Sequence, residues 1–264
     1  MGKINVAVIG AGWIGEIRAV NCARHPLVER LYLAEIDPAK AMRVAAEAGA
    51  GEWTTDYHEL LARTDIDAVI VSATPENLHY PIARDCLLAN KHVLLEKPMA
   101  LTLRDADELI ALAREAGLKL TIGYSQRYNP RYAYVKQCLR DGTLGAPVSA
   151  LVTRSIPRTL GHAVGERAKL GPAQMGATHD VDFLLWCLEG SRAKRVYAQV
   201  VRKIQGGGGV PDCAWIMVTM DDGTVFTVGT NWALDVWTFA IPIVLIVGGV
   251  LASRKLYGDI FTRE

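Results

Sequence analysis

Short apolar runs rich in β-branched residues alternate, through the first half of the chain, with longer stretches whose apolar positions recur every three or four residues. The runs at 4–9, 31–34, 68–72 and 92–95 lack an alternating polar face, which is the pattern of strands buried on both sides, and 52–55 and 119–123 read as further short strands. Between them, 16–24, 38–48, 57–62, 75–90 and 104–115 carry helical periodicity. Strand and helix in strict succession predict an α/β fold with a doubly wound parallel sheet. After residue 123 the character changes. Residues 131–140 and 176–188 read as helices, whereas 148–154, 195–201, 214–220 and 224–229 read as long strands, with Asp221-Asp222-Gly223 as a hairpin turn. The chain is therefore expected to divide into an N-terminal Rossmann domain, 1–124, and a C-terminal α+β domain, 125–264, with a mostly antiparallel open sheet. The four glycines 206–209 are expected to form a mobile loop.

Composition narrows the partners. The 29 Lys and Arg against 28 Asp and Glu leave a formal net charge of +1, so bulk charge selects neither nucleic acid nor an anionic membrane, and a small neutral partner is expected. The five cysteines, Cys22, Cys86, Cys138, Cys187 and Cys213, are odd in number, scattered and without a CxxC pair, which predicts reduced thiols and no metal site. A strand pattern begins almost at the N-terminus, so no signal peptide is expected and a cytoplasmic location follows. The run 236–252 carries no formal charge and precedes Arg254 and Lys255, which leaves a membrane span as an alternative. Pro242 and the Gly248-Gly249 pair divide that run into strand-length pieces and favour a buried strand.

The first strand ends in Gly10-Ala11-Gly12-Trp13-Ile14-Gly15 and a helix follows. In such a turn the first glycine permits the bend, the second lets the backbone approach a pyrophosphate, and the third allows the helix to pack closely on the strand. The helix N-terminus then offers N–H groups and a positive dipole end to phosphates. The second strand finishes at Glu35, where an acid can accept hydrogen bonds from a ribose diol and repel a 2′-phosphate, favouring NAD over NADP. Lys40 and Arg43 lie close by in sequence and soften that preference. Thr74 can cap a helix whose first position is Pro75. The strand 92–95 delivers Glu96-Lys97-Pro98 to a bend at the carboxyl edge of the sheet, where open α/β sheets bind ligands. Taken alone, Glu96 and Lys97 also fit a solvated turn.

In their order and spacing these residues resemble the Gfo/Idh/MocA family, named for glucose-fructose oxidoreductase, inositol dehydrogenase and rhizopine catabolism. The resemblance runs from residue 4 to about 234. Its marks are the glycine turn, Thr74-Pro75 followed by His79, Glu96-Lys97-Pro98, Arg127-Tyr128-Asn129-Pro130, the turn 142–145, and His179-Asp180-Val181-Asp182. It implies reversible hydride transfer between a nicotinamide cofactor and an alcohol carbon of a sugar, inositol or related polyol. It also implies a homodimer or homotetramer assembled through the C-terminal sheet. The cofactor would be held by Gly10, Gly12, Trp13, Ile14 and Gly15, by Glu35, by Thr74, Pro75, Asn77 and His79, and by Glu96 and Lys97. Substrate would meet Lys97, Arg127, Tyr128, His179 and Asp182.

Alcohol oxidation removes a hydride and a proton, so the site needs a base at the hydroxyl and a cation to steady a developing alkoxide. The resemblance makes Lys97 and His179 the catalytic pair, with Glu96 holding the loop and Pro98 following a cis peptide. Burial near a cationic neighbour would lower the lysine pKa toward the working range. His79 fits a helix surface as well as a cofactor contact, and Tyr128 fits a plug at the domain junction as well as a substrate contact. Arg154, Arg158, His162, Arg167 and Lys169 form a cationic stretch that suits a substrate loop or a solvated one.

Two departures from the family stand out. Met175 occupies the position, four residues before His179, where the family commonly has an aspartate. Either Asp180 or Asp182 takes over its task, or turnover is weakened and the chain is an NAD(H)-binding regulatory or assembly module of the same fold. The sequence also ends soon after Leu256-Tyr257-Gly258, where the family adds strands and a helix, so the second sheet is expected to be shortened and exposed.

Overall fold

The structure, a computed structural model, describes residues 2–204 and 210–234. The glycine loop 206–209 and the apolar run 236–252 lie outside the described residues. Two compact units are present, Met1–Val135 and Lys136–Glu264.

The first unit alternates strand and helix: β1 (Ile4–Ile9), α1 (Trp13–Ala23), β2 (Val28–Ala34), α2 (Pro38–Ala48), β3 (Glu52–Thr54), α3 (Tyr57–Leu61), β4 (Ala68–Val71), α4 (His79–Leu88), β5 (His92–Leu95), α5 (Leu103–Glu115) and β6 (Leu120–Ile122). The six strands form one sheet in the order β3-β2-β1-β4-β5-β6, and every pairing is parallel. Successive strand residues point to opposite faces. Ala7, Ile9, Val69, Val71, Val93 and Leu95 thus meet Ile82, Ala83, Cys86 and Leu109 from α4 and α5, whereas Val6, Val8, Leu31 and Leu33 meet Ala19, Val44 and Ala45 from α1 and α2. Burial on both faces is the physical reason these strands read as unbroken apolar runs. On the α1 side, the stretch of sheet lined by Ala68, Ile70, Leu94 and Thr121 lies open as an apolar groove of about 450 Å³.

Local signals set several boundaries. The Asp37 carboxylate caps α2 by accepting from the N–H groups of Ala39 and Lys40, Pro38 takes the first turn, and Gly49 closes the helix at φ 68°. The strand order reverses between β1 and β4, so the carboxyl ends of those two strands open a crevice at the switch point.

The second unit contains β7 (Ser149–Pro157), α7 (Arg158–Ala168), a π-helical turn at Ala173–Ala177, α8 (Thr178–Cys187), β8 (Ala193–Val201), β9 (Cys213–Met220) and β10 (Val225–Leu234), and α6 (Pro130–Arg140) spans the division between units. Its sheet runs β7-β10-β9-β8. Two pairings are antiparallel, but β10 lies parallel to β7, so the sheet is mixed. One face is covered by α7, the π-turn and α8, with Met175 and Trp232 at the centre of an apolar cluster completed by Ile156, Val164, Leu170 and Val210. Among the described residues no element covers the opposite face: Leu151, Met217 and Tyr197 lie in register across it and are exposed by 68%, 47% and 65%. Trp215 lies flat over Gly229 on that face, where an added Cβ would sit 2.6 Å from the indole.

The stretch read as a cationic loop is helical: Arg158, His162 and Arg167 belong to α7, and Lys169 caps it at φ 54°. Its glycines obscure the helix in sequence and are demanded by packing. A Cβ at Gly161 would meet Trp232 at 2.7 Å, and one at Gly165 would meet Val210 at 2.5 Å.

Candidate active site and cofactor pocket

The glycine turn is built by exclusion. Gly10 follows β1 at φ 90°, a conformation that favours glycine, and a Cβ there would lie 2.7 Å from the backbone of Ala73. At Gly15 a Cβ would sit 1.8 Å from the Gly10 carbonyl oxygen, so the turn closes only with hydrogen at that position. Gly12 differs, because a Cβ would meet nothing within 4 Å. The fold itself does not need that glycine. It keeps the backbone bare where α1 begins, which fits a loop that a pyrophosphate approaches closely.

Glu35, one residue past β2, is buried and fixes this turn from the side. Its Oε2 accepts from the Ala11 N–H at 2.7 Å, and its Oε1 accepts from the Asp37 N–H at 3.2 Å, with Lys40 Nζ 3.8 Å away. Around these groups lies a cavity of about 170 Å³ lined by Gly10, Gly12, Glu35 and Thr74 together with Ile36, Lys40, Thr55, Tyr57, Ser72 and Leu78. Ile36 is 86% exposed, an apolar side chain in the position to cover a flat ring. The Tyr57 hydroxyl donates to Asp85 at 2.7 Å, and burial followed by that carboxylate holds its phenol well above the usual range. A neutral aromatic wall, backbone N–H groups and a buried carboxylate suit a dinucleotide.

Two proline turns follow β4 and β5, and both peptides, Thr74-Pro75 and Lys97-Pro98, are cis. Thr74, Pro75 and Asn77 are exposed on the first turn, while His79 points inward and is 2% exposed. The two ring nitrogens of His79 face one carbonyl from each turn: Nε2 lies 3.1 Å from Ala73 O and Nδ1 lies 2.7 Å from Pro98 O. The histidine therefore ties the turns together from inside. Trp13 and Ile14 stand exposed at the start of α1.

Lys97 is half-buried. Its neighbour Glu96 is no solvated turn residue: Oε1 accepts from Arg18 Nε at 3.0 Å and from Arg18 Nη2 at 2.6 Å, linking the end of β5 to α1. Both carboxylate oxygens also press against Gly123, where a Cβ would lie 2.9 Å from each. Arg127 and Tyr128 lie on an exposed 3-10 turn, Ser125–Tyr128.

In the second unit, His179 is half-buried in the first turn of α8, directly after the π-turn. A π-turn is an uncommon distortion that recurs at functional sites. Asp180 is engaged elsewhere: Arg154 donates Nε to its Oδ2 at 2.8 Å and Nη2 to its Oδ1 at 2.6 Å. Both Asp180 oxygens are thus engaged by a guanidinium, and Asp182, three residues beyond His179 on α8, is also buried. Met175 packs into the apolar cluster with Trp232. Among the described residues no group of three or more His, Cys, Asp or Glu is arranged for a metal ion, and no helix is long and apolar enough to cross a membrane.

Residues 4–124 match the Gfo/Idh/MocA model described as an oxidoreductase family with an NAD-binding Rossmann fold, and residues 132–241 match the Gfo/Idh/MocA C-terminal domain. The chain belongs to the Gfo/Idh/MocA family. Among its relatives, an inositol 2-dehydrogenase of Rubrobacter xylanophilus is 30% identical over 87% of this chain and 65% of its own length. A 1,5-anhydro-D-fructose reductase of Ensifer adhaerens is 32% identical over 74% of this chain and 58% of its own. Among solved structures, GenD2 from gentamicin A biosynthesis, in complex with NAD, superposes with a TM-score of 0.78 at 26% identity, covering 89% of this chain and 67% of that one. The chain thus spans between about half and two thirds of the length of its first curated relatives. Within this Gfo/Idh/MocA chain the pocket residues Ile36, Thr55 and Tyr57 escape a sequence reading, since each is an ordinary residue that only the fold brings beside Glu35.

Proposed function

We propose that the chain transfers a hydride between NAD(H) and a secondary alcohol or ketone carbon of a sugar, inositol or related polyol, with NAD the preferred cofactor. The observation that carries this reading is the glycine turn fixed by Glu35, with Gly12 left open toward the pocket, and beside it the Lys97 turn tied in through His79. NAD, when bound, supplies the hydride acceptor. The Gly10 to Gly15 turn and the first turn of α1 hold its phosphates, and Glu35 receives its ribose hydroxyls. Lys97 stands at the reacting hydroxyl as cation and proton relay, and His179 takes up and returns the proton. Arg127, Tyr128 and Asp182 orient the substrate. Residues 1–124 form the cofactor domain and 125–264 the substrate and assembly domain.

The sheet face of the second unit that no described element covers, with Leu151, Tyr197, Trp215 and Met217, supports assembly into a homodimer or homotetramer. All five cysteines are free thiols, which suits a reducing cytoplasm.

The test is purified protein with NAD against a panel of inositols, aldoses and sugar acids, followed by NADH absorbance. Turnover of at least one polyol is expected. Tight NADH binding with no turnover across the panel would instead support a second reading, an NAD(H)-binding regulatory or assembly module. That reading is favoured by one observation: the thioether of Met175 sits in an apolar cluster where the family commonly has an aspartate.

A further inference from the structure

The apolar groove on the α1 side of the first sheet shares no lining residue with the cofactor pocket. Its floor includes Val6, Ala68, Ile70 and Leu94, and one wall is the flank of α1 at Arg18, Asn21, Cys22 and His25, spaced as a single helical stripe. From β1 across β4 and β5 to β6 the floor spans three strand spacings, about 14 Å. Its volume of about 450 Å³ is that of a ligand pocket, whereas a helix about 10 Å across would fill it in roughly one turn. The charge on the rim is one-sided. Arg18, His25, His92 and Lys119 line the groove, and no Asp or Glu does. Arg18 is already committed to Glu96. The two imidazoles are not so engaged: His25 Nδ1 accepts from the Leu27 N–H at 3.2 Å and His92 Nδ1 accepts from the Lys119 N–H at 3.1 Å, which puts each ring proton on Nε2. Those two Nε2 groups and Lys119 Nζ have no acceptor among the described residues.

We propose that this groove is a second binding site, for an apolar monocarboxylate such as a medium-chain fatty acid. The chain lies on Val6, Ala68, Ile70 and Leu94, and the carboxylate accepts charge-assisted hydrogen bonds from Lys119 Nζ with His92 Nε2 beside it. Burial of the chain supplies the affinity, and the rim sets the sign of the head group. An aliphatic amine of the same length meets the same floor but a rim that repels it. The inference is independent of the NAD(H) reading, since none of these residues holds the cofactor.

The probe is decanoate, titrated calorimetrically into the full chain below its micelle concentration, beside decanol and decylammonium. Decanoate is expected to bind at least about tenfold more tightly than either. Lys119→Glu should remove that preference, whereas Lys194→Glu, the same charge change at the start of β8 in the second unit, should leave it. Thr121→Phe, on the edge strand β6, should fill the groove and weaken decanoate and decanol alike. The inference fails if decanoate does not bind, if the three probes bind equally, or if Lys119→Glu and Lys194→Glu act alike. It also fails if an acidic amphipathic peptide binds the groove and decanoate does not, because the occupant is then a helix.

Discussion

Each candidate catalytic residue has as its chain neighbour a carboxylate locked by an arginine, and the two locks are built differently. Glu96 precedes Lys97 and uses a single oxygen to receive both donors of Arg18, with side-chain exposures of 13% and 27%. Asp180 follows His179 and is held by both oxygens, one donor each, with its side chain only 2% exposed. The first lock joins a strand end to a helix beside the open apolar groove on the α1 side of the first sheet, which Arg18 and Leu94 line. The second pins the start of α8, next to a π-turn, onto a sheet whose other face no described element covers. A parallel two-point contact fixes direction as well as distance, whereas a single acceptor oxygen lets the guanidinium pivot. The lock beside His179 is therefore the more directional of the two.

The comparison is tested most severely at the residues the locks serve. Lys97→Met and His179→Ala should each lower kcat by roughly 10²–10⁴-fold while NADH binding persists, as measured by steady-state kinetics beside fluorescence titration. Asp180→Asn comes next, since it removes the charge that Arg154 faces at a buried position, and a loss of about 3 kcal/mol is expected in denaturant unfolding. If the two pairs were equivalent, Glu96→Gln would cost as much. The single-oxygen geometry instead predicts about 1–2 kcal/mol there, with a fall in kcat larger than the stability loss accounts for. Exposed pairs set the baseline. Glu47→Gln, which removes one acid from Arg43 on the surface of α2, should change stability by less than about 0.5 kcal/mol.

The smallest effect is one of pH. The Arg63 guanidinium, with the Tyr32 hydroxyl second, lowers the Asp65 carboxyl to about 2. A carboxylate depressed in the folded state contributes stability that is present above its unfolded value and is lost as pH falls through the folded one. The contribution of Asp65 is thus complete above about pH 4 and fades between 4 and 2. Asp65→Asn should flatten that part of the acid unfolding curve and lower stability at pH 7, where the contribution is present in full.

What the sequence revealed and what it hid follow one physical division. The glycine turn, Glu35, the proline turns and the six parallel strands are legible because local backbone demands and double-sided burial leave marks on consecutive residues. Gly10 is marked by its own φ of 90° and Gly15 by the Gly10 carbonyl within the same turn. Helix α7 is hidden because Gly161 and Gly165 answer to Trp232 and Val210, which lie far along the chain. The parallel pairing of β7 with β10 is hidden for the same reason, as it joins the first strand of the second sheet to the last described one. The lock on Asp180 could be suspected from charge alone, but its bidentate geometry depends on a register between β7 and α8 that no local pattern records.

His79 has a mechanical consequence. A rigid ring that touches one carbonyl from each proline turn couples the two turns, so a displacement at Thr74 would be passed through the imidazole to Pro98 and so to Lys97. Hydrogen exchange should see the amides of the two turns open together, and His79→Ala should split them into two separately exchanging segments. Arrival of the dinucleotide would then be felt at the lysine before any substrate has come.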